Sequence, residues 1–159
     1  MKSPRYAPRT MEPVTVIVPV KDEEVGLKFL LEDYGQSTLK DIYDIRFMFV
    51  IDVRTSDSSK QIASQFSDDI IDQEKTTGKG SAMTQAIEKW KLKPTSKVVF
   101  LDADGSYTFE SVIRILETLE SGADMVSGSR FLSVGGRPKG MSRLHNFGNR
   151  ALSKISSIR

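Results

Sequence analysis

The 159-residue sequence contains no cysteine, which excludes disulfide bonds, thiolate metal sites and a cysteine nucleophile. Its one histidine, His145, has no partner at the spacing of metal ligands. No run approaches the roughly 18 apolar residues of a membrane span. Residues 1–13 are basic but lack the apolar core of a secretory signal. We therefore predict a cytoplasmic protein whose residues 1–13 form a flexible leader.

Acidic residues are also missing from the end of the chain. The net charge is only +2, yet no aspartate or glutamate follows Asp124. Seven basic residues do follow it: Arg130, Arg137, Lys139, Arg143, Arg150, Lys154 and Arg159. A block of residues with charges of one sign is typical of segments that bind phosphates, nucleic acid or an acidic membrane. The alternative is a helix face whose charges are simply solvated.

Apolar segments alternate regularly between strand-like and helix-like patterns. Strands are predicted over 14–20, 46–52, 68–72, 97–103 and 124–131. Helices are predicted over 24–34, 55–66 (capped by Ser56 or Asp57), 81–90, 109–122 (closed by Gly122) and 142–158. This order favours an α/β fold, a mostly parallel sheet with helices on both faces. We expect one domain over residues 14–159.

The predicted strands end in polar or charged stretches: PVKDE, VIDVRTSD, FLDADGS and SGSRF. In parallel α/β sheets ligands bind beyond the carboxyl ends of the strands, so these four stretches should line one crevice. Asp102 and Asp104 lie two residues apart and would share one side of a strand. Two carboxylates so placed suit Mg²⁺ or Mn²⁺. The alternative is an ordinary surface turn containing Asp-x-Asp-Gly.

Five motifs occur in a characteristic order: VIVPVKDEE, DVRTSDS, TGKGSA, VVFLDADG and GSRF. In this order they resemble glycosyltransferase family 2, inverting enzymes with a Rossmann-like nucleotide-sugar-binding domain of the GT-A type. The later FGNRAL resembles the polyprenyl-phosphate branch, which includes the dolichyl-phosphate sugar synthases. The resemblance covers residues 14 to about 155. It implies a nucleotide-sugar donor linked to UDP or GDP, a polyprenyl-phosphate acceptor and no nucleic-acid partner.

The resemblance also implies roles for individual residues. Pro19 and Glu23 would contact the nucleotide beside the base and ribose, and Asp52 would bind the base or ribose. Asp102 would face the ribose and the metal. Asp104 would be the main metal ligand at the diphosphate.

The resemblance further implies that Arg130 reaches a phosphate of the nucleotide. Together Asp104 and Arg130 would form the catalytic pair, because both stabilise charge on the leaving diphosphate. A Mg²⁺ or Mn²⁺ ion would be the cofactor. Residues 137–159 would face the acceptor phosphate and an anionic membrane surface, making the protein peripheral on the cytoplasmic face.

The sequence departs from the family pattern in several places. Lys21 and Asp22 stand where an aromatic residue and asparagine are common. Val53 and Arg54 replace an Asp-Gly pair, so the contacts that this chain makes with the base are expected to differ from those of the family. Lys79, within Gly-Lys-Gly, either contacts substrate or simply opens a helix. Family members continue beyond a final helix of this kind, so we expect the domain to be incomplete on its acceptor side.

Three functions follow from these observations. The first is a metal-dependent inverting glycosyltransferase. The second is a nucleotide-binding module or fragment without transfer activity. The third is a sugar nucleotidyltransferase, which is less favoured because that family opens its first strand into a glycine-rich loop and PVKDEEVG does not.

Overall fold

The computed structural model describes residues 12–73, 78–92 and 96–128. Its elements in chain order are β1 (Glu12–Val20), α1 (Glu24–Gln36), α2 (Leu39–Ile42), β2 (Tyr43–Asp52), α3 (Ser59–Phe66), β3 (Ile70–Gln73), α4 (Lys79–Trp90), β4 (Lys97–Phe100) and α5 (Phe109–Glu120). The four strands form one sheet in the order β3-β2-β1-β4. Every neighbouring pair is parallel, which confirms the predicted α/β fold.

Strand β1 runs through the middle of the sheet, and both of its faces are buried. Its residues Val14, Val16, Val18 and Val20 pack on one side against helices α1, α3 and α5. Ile17 points to the other side, where Met48 and Val50 of β2 meet the small residues of α4. Because both faces are covered, the strand is apolar throughout rather than alternating.

Several predicted boundaries are wrong. Strand β4 stops at Phe100 rather than at residue 103, because after Leu101 N–H donates to the Ile17 carbonyl oxygen the chain turns away. The aspartates that follow therefore lie on a turn beyond the strand. The short helix α2 was not predicted. Helix α3 has Ser58 as its N-cap rather than Ser56 or Asp57.

Residues from Thr118 onward belong to a separate unit of the chain. Its described part is the last turn of α5 and the segment 121–128. Helix α5 closes at Gly122, which has φ +108° and donates its N–H to the Leu119 carbonyl. Residues 124–128 are not a strand, contrary to the prediction. The rest of that predicted strand and the predicted final helix lie outside the described residues.

Within the described ranges, no helix is both long enough and apolar enough to cross a bilayer.

Candidate active site

A cleft of about 300 Å³ opens at the carboxyl ends of β1, β2 and β4. Five residues predicted from the sequence to form the site line it: Pro19, Glu23, Asp52, Asp102 and Asp104. Their places follow from the parallel sheet, which brings the ends of three strands to one edge. The sixth predicted residue, Arg130, lies outside the described residues. The cleft is also lined by the end of β3 and the start of α4.

The loops that follow β1 and β2 are held together by reciprocal hydrogen bonds. Asp57 accepts from the N–H of Glu24 and, through its other oxygen, from the N–H of Ser59, both at 2.9 Å. The Ser59 hydroxyl accepts from the N–H of Glu23 at 2.9 Å. Asp57 and Ser59 thus supply acceptors to the start of α1, where N–H groups lack partners within the helix. In return, Glu24 Oε2 accepts from the N–H of Ser58 at 3.3 Å. This fixes the position of Glu23 at the cleft.

Asp22, a departure from the family pattern, belongs to the same arrangement. Its oxygen Oδ1 accepts from the N–H and the hydroxyl of Ser56, at 2.8 and 3.2 Å. Its backbone has φ +50°, a conformation that aspartate and asparagine adopt more readily than other side chains. Asp22 therefore anchors the turn between β1 and α1.

Asp52, at the end of β2, is 4% exposed and forms a bidentate ion pair with Arg54. Arg54 donates through Nε to Oδ1 at 2.9 Å and through Nη2 to Oδ2 at 2.8 Å. The Arg54 N–H also donates to Oδ1, at 2.9 Å. The Arg54 side chain is the main cause of a strongly lowered Asp52 pKa. Both oxygens of Asp52 are thus already engaged, and the Arg54 guanidinium lines the cleft beside them.

Asp102 forms an ion pair with Lys79, the first residue of α4. Gly78 precedes that helix with φ +106°, a conformation that disfavours any side chain. The glycine lets the chain turn so that Lys79 enters the cleft. Lys79 both begins α4 and lines the cleft; direct contact of Lys79 with substrate stays a prediction.

Asp104 lies exposed on the turn after β4. Its Oδ1 accepts from the Ser106 N–H at 2.9 Å, and Gly105 between them has φ +71°. The resulting turn keeps Asp104 on the cleft beside Asp102.

Glu23 carries an unfavourable charge in this setting. Burial raises the pKa of its carboxyl above the ordinary 4.5, and the negative charges of Asp104, Asp57, Asp102 and Asp22 raise it further. A carboxyl group whose pKa is raised by burial and by neighbouring carboxylates in a cleft is typical of a functional site. The cluster therefore favours a ligand that brings positive charge.

Comparisons with known proteins identify the fold's relatives. The family model described as glycosyl transferase family 2 matches residues 15–156. The chain belongs to glycosyl transferase family 2. The predicted membership is thereby confirmed.

Two curated proteins of Haloferax volcanii are similar to this family 2 chain. Glycosyltransferase AglJ is 28% identical over 145 residues, which are 91% of this chain and 44% of AglJ. A dolichyl-phosphate hexose transferase is 29% identical over 150 residues, which are 94% of this chain and 60% of that protein. The chain thus spans about half the length of the curated relatives it matches.

Solved structures agree on the architecture. The crystal structure of S. aureus TarS 1–349 has a TM-score of 0.50 at 18% identity and covers 76% of this chain and 40% of that one. A second structure of S. aureus TarS has the same TM-score at 17% identity and covers 76% of this chain and 24% of that one. At such identity the likeness supports the fold alone.

The chemistry of the cleft fits a divalent metal as one partner. Among the described residues, no three acidic or histidine side chains are already gathered around one point for an ion. Asp102 and Asp104 nevertheless offer oxygen donors on one cleft. Mg²⁺ typically takes only one or two protein carboxylates and completes its shell with water and substrate phosphates. The donor set is therefore suited to an ion that arrives with a phosphorylated ligand.

Sequence reasoning missed the two basic partners in this site. Arg54 was noted only as a departure from the family, although a basic residue two positions after an aspartate at a strand end is a usable signal for a local ion pair. Lys79 is 23 residues away from Asp102 in sequence, so only the folded sheet brings the two together.

Proposed function

We propose that this chain is the nucleotide-sugar-binding part of a metal-dependent inverting glycosyltransferase. The observation that carries the proposal is the arrangement of four acidic residues, Glu23, Asp52, Asp102 and Asp104, in one cleft at the carboxyl edge of a family 2 sheet. In this proposal the base and ribose lie toward Pro19, Glu23 and Asp52, and the diphosphate lies toward Asp102 and Asp104.

The reaction would break the bond between sugar carbon 1 and the diphosphate, while an acceptor oxygen forms a new bond to the same carbon from the opposite side. The nucleoside diphosphate leaves with the bonding electrons. Asp102 and Asp104 would hold Mg²⁺ or Mn²⁺, which when bound neutralises the negative charge that grows on the leaving group. Lys79 adds a positive charge at the same edge, and we assign Arg130 to a phosphate of the donor.

For the acceptor we propose a polyprenyl phosphate. The similar protein named as a dolichyl-phosphate hexose transferase supports this choice. A phosphate oxygen is already ionised near neutral pH, so the transfer needs no strong general base. The basic residues beyond Asp124 would face the acceptor phosphate and an anionic membrane surface, with the protein peripheral on its cytoplasmic side.

The first experiment measures calorimetrically how tightly UDP and GDP bind to this chain with Mn²⁺ and with EDTA. We expect at least one of the two to bind about tenfold more tightly with Mn²⁺, equivalent to about 1.4 kcal/mol. The Asp104→Asn variant should lose this gain, because an amide replaces one of the two proposed carboxylate ligands. The control Asp41→Asn alters an exposed aspartate of α2 and should keep it. Equal affinity with and without metal would refute the metal role.

A second readout separates an enzyme from a binding module. In this chain, tested alone and joined to an acceptor-side segment of a longer relative, Asp104→Asn should lower the rate of sugar transfer to a polyprenyl phosphate by about 10²–10³-fold, the scale of one lost transition-state stabiliser. Transfer measured with radiolabelled donor checks this. Metal-linked nucleotide binding without any transfer by the wild type in either form would favour the binding module instead.

A further inference from the structure

Gly26, in the first turn of helix α1, lies against the segment that carries the two aspartates. A Cβ atom built on Gly26 would be 2.5 Å from the Ala103 carbonyl oxygen, 2.6 Å from Asp104 Cα and 2.7 Å from the Asp104 carbonyl carbon. All three are backbone atoms, so no side-chain rotation could relieve the contact. Even alanine at this position would require the helix or the segment 103–104 to move.

The turn on the other side of Asp104 completes the contact. Gly105 has φ +71°, and a Cβ built on it would lie 3.6 Å from the Gly26 carbonyl oxygen and 3.0 Å from Cδ1 of Phe29. Phe29, on the next turn of α1, is half exposed at 51%. The segment 103–105 thus packs against residues 26–29 of α1: the backbone of 103–104 contacts Gly26, and Gly105 lies beside the Phe29 ring.

The glycine is not explained by the helix itself. Gly26 has no positive φ, so its backbone suits any residue, and glycine inside a helix is less stable than alanine. Gly35, near the end of the same helix, shows the contrast: a Cβ built there would meet nothing within 4 Å. Close backbone approach is therefore the physical reason for glycine at position 26.

We propose that Gly26 is a positioning residue for the metal and diphosphate side of the cleft. By letting α1 touch the backbone of Ala103 and Asp104, it sets where the Asp104 carboxylate stands relative to Asp102. This inference rests on the proposed function for what the aspartates bind. The nucleoside side of the cleft, formed by Asp52 and the ends of β1 and β2, does not depend on Gly26 through any such contact.

The test compares Gly26→Ala with Gly35→Ala in this chain. We expect Gly26→Ala to weaken Mn²⁺-dependent binding of the nucleoside diphosphate by on the order of 10- to 100-fold, the scale of losing a group that orients a metal ligand. Binding of the parent nucleoside, which has no phosphates, should weaken by a much smaller factor, because Pro19 and Asp52 lie at strand ends outside this contact. Gly35→Ala should leave both affinities as in the wild type and should not lower the melting temperature.

Amide chemical shifts provide a readout that does not depend on ligand. Gly26→Ala should shift the amide resonances of Asp104, Gly105 and Ser106, whereas Gly35→Ala should not. A Gly26→Ala protein with wild-type shifts in this segment and wild-type metal-linked affinity would overturn the proposal, even if its melting temperature fell. If the wild type binds no nucleoside diphosphate, the proposed function fails, while the amide shifts still decide whether Gly26 positions the segment.

A milder pair of variants covers the case in which Gly26→Ala does not fold. Phe29→Ala removes the ring beside Gly105 without adding atoms, and we expect a smaller fall in the same metal-linked affinity. Val25→Ala alters a neighbouring residue of α1 that is 81% exposed, and it should have no effect. Equal affinities for these two variants would contradict the positioning role.

Discussion

At the scale of single residues, the site combines two acids that pair with basic side chains, Asp52 and Asp102, with Glu23, whose negative charge the fold disfavours. Arg54 holds both oxygens of Asp52, and Lys79 pairs with Asp102. Glu23 has acidic neighbours instead, and its pKa is raised by burial and by Asp104. The protein therefore keeps one carboxylate in an unfavourable state, as expected where electrostatic fit to a ligand outweighs stability.

Glu23 leads to a prediction about pH. Its raised pKa means that the fold disfavours the charged form, so wild-type stability falls, relative to a neutral variant, as pH rises from below 4.5 through the raised value. We expect Glu23→Gln to have a higher melting temperature than the wild type at pH 7, and the gap to shrink toward zero as pH falls below 4.5. Thermal unfolding followed by circular dichroism at several pH values measures this.

The matched control for Glu23 is Glu32→Gln, which changes an exposed glutamate of the same helix. Its melting temperature should follow the wild-type pH profile. A Glu23→Gln gap that stays constant from pH 4 to pH 7 would show that the acidic neighbours do not penalise the Glu23 charge.

At the scale of elements, the sequence predicts where the strands lie better than it predicts where they end. The apolar runs over 14–20 and 46–52 predict β1 and β2 because burial on both faces requires continuous hydrophobic residues. Where each element stops is decided by contacts that the local sequence does not contain. Strand β4 ends early because Ala103 and Asp104 turn onto Gly26.

In the candidate site, too, some features follow from local sequence and others depend on tertiary contacts. Its acidic residues could be predicted, because the carboxyl ends of parallel strands share one edge of the sheet. Their pairing with Lys79 could not, since it depends on how α4 is placed. Likewise, the cap of α3 was expected within its own loop, but Asp57 divides its oxygens between the first turns of α1 and α3, an arrangement that no local pattern indicates.

The reciprocal capping of α1 and α3 predicts an unusually large effect for a small substitution. Ser59 is fully buried, and its hydroxyl accepts from the Glu23 N–H. Ser59→Ala would leave that N–H without its partner and should lower the free energy of unfolding by about 1–2 kcal/mol. Urea denaturation checks the value.

The control Ser64→Ala removes a hydroxyl of the same helix that donates to the Lys60 carbonyl at the surface, and its free energy of unfolding should stay within about 0.5 kcal/mol of the wild type. Equal stability of the two variants would mean that the link between the loops contributes nothing.

At the scale of the whole molecule, the charge is divided along the chain. The seven basic residues beyond Asp124 leave a net charge of −5 for the preceding part, since the total is +2 and +2 − 7 = −5. The acidic part contains the cleft, where a metal ion would offset the carboxylates. The basic part is suited to an anionic surface. In the proposed membrane-facing role, the basic part would contact anionic lipid.

This division predicts binding to anionic vesicles and supplies its own control. Each basic residue near an anionic surface can contribute on the order of 1 kcal/mol, and salt screens the attraction. We expect flotation with vesicles containing phosphatidylserine but not with neutral phosphatidylcholine vesicles, and less flotation at high salt. Arg137→Glu with Lys139→Glu should weaken it strongly.

The control variant, Lys40→Glu with Lys89→Glu, makes the same change in net charge on exposed positions of α2 and α4. It should weaken flotation much less, because the basic segment provides the attraction. Equal loss in both double variants would show that only net charge matters, and flotation indifferent to lipid charge would refute the membrane-facing role.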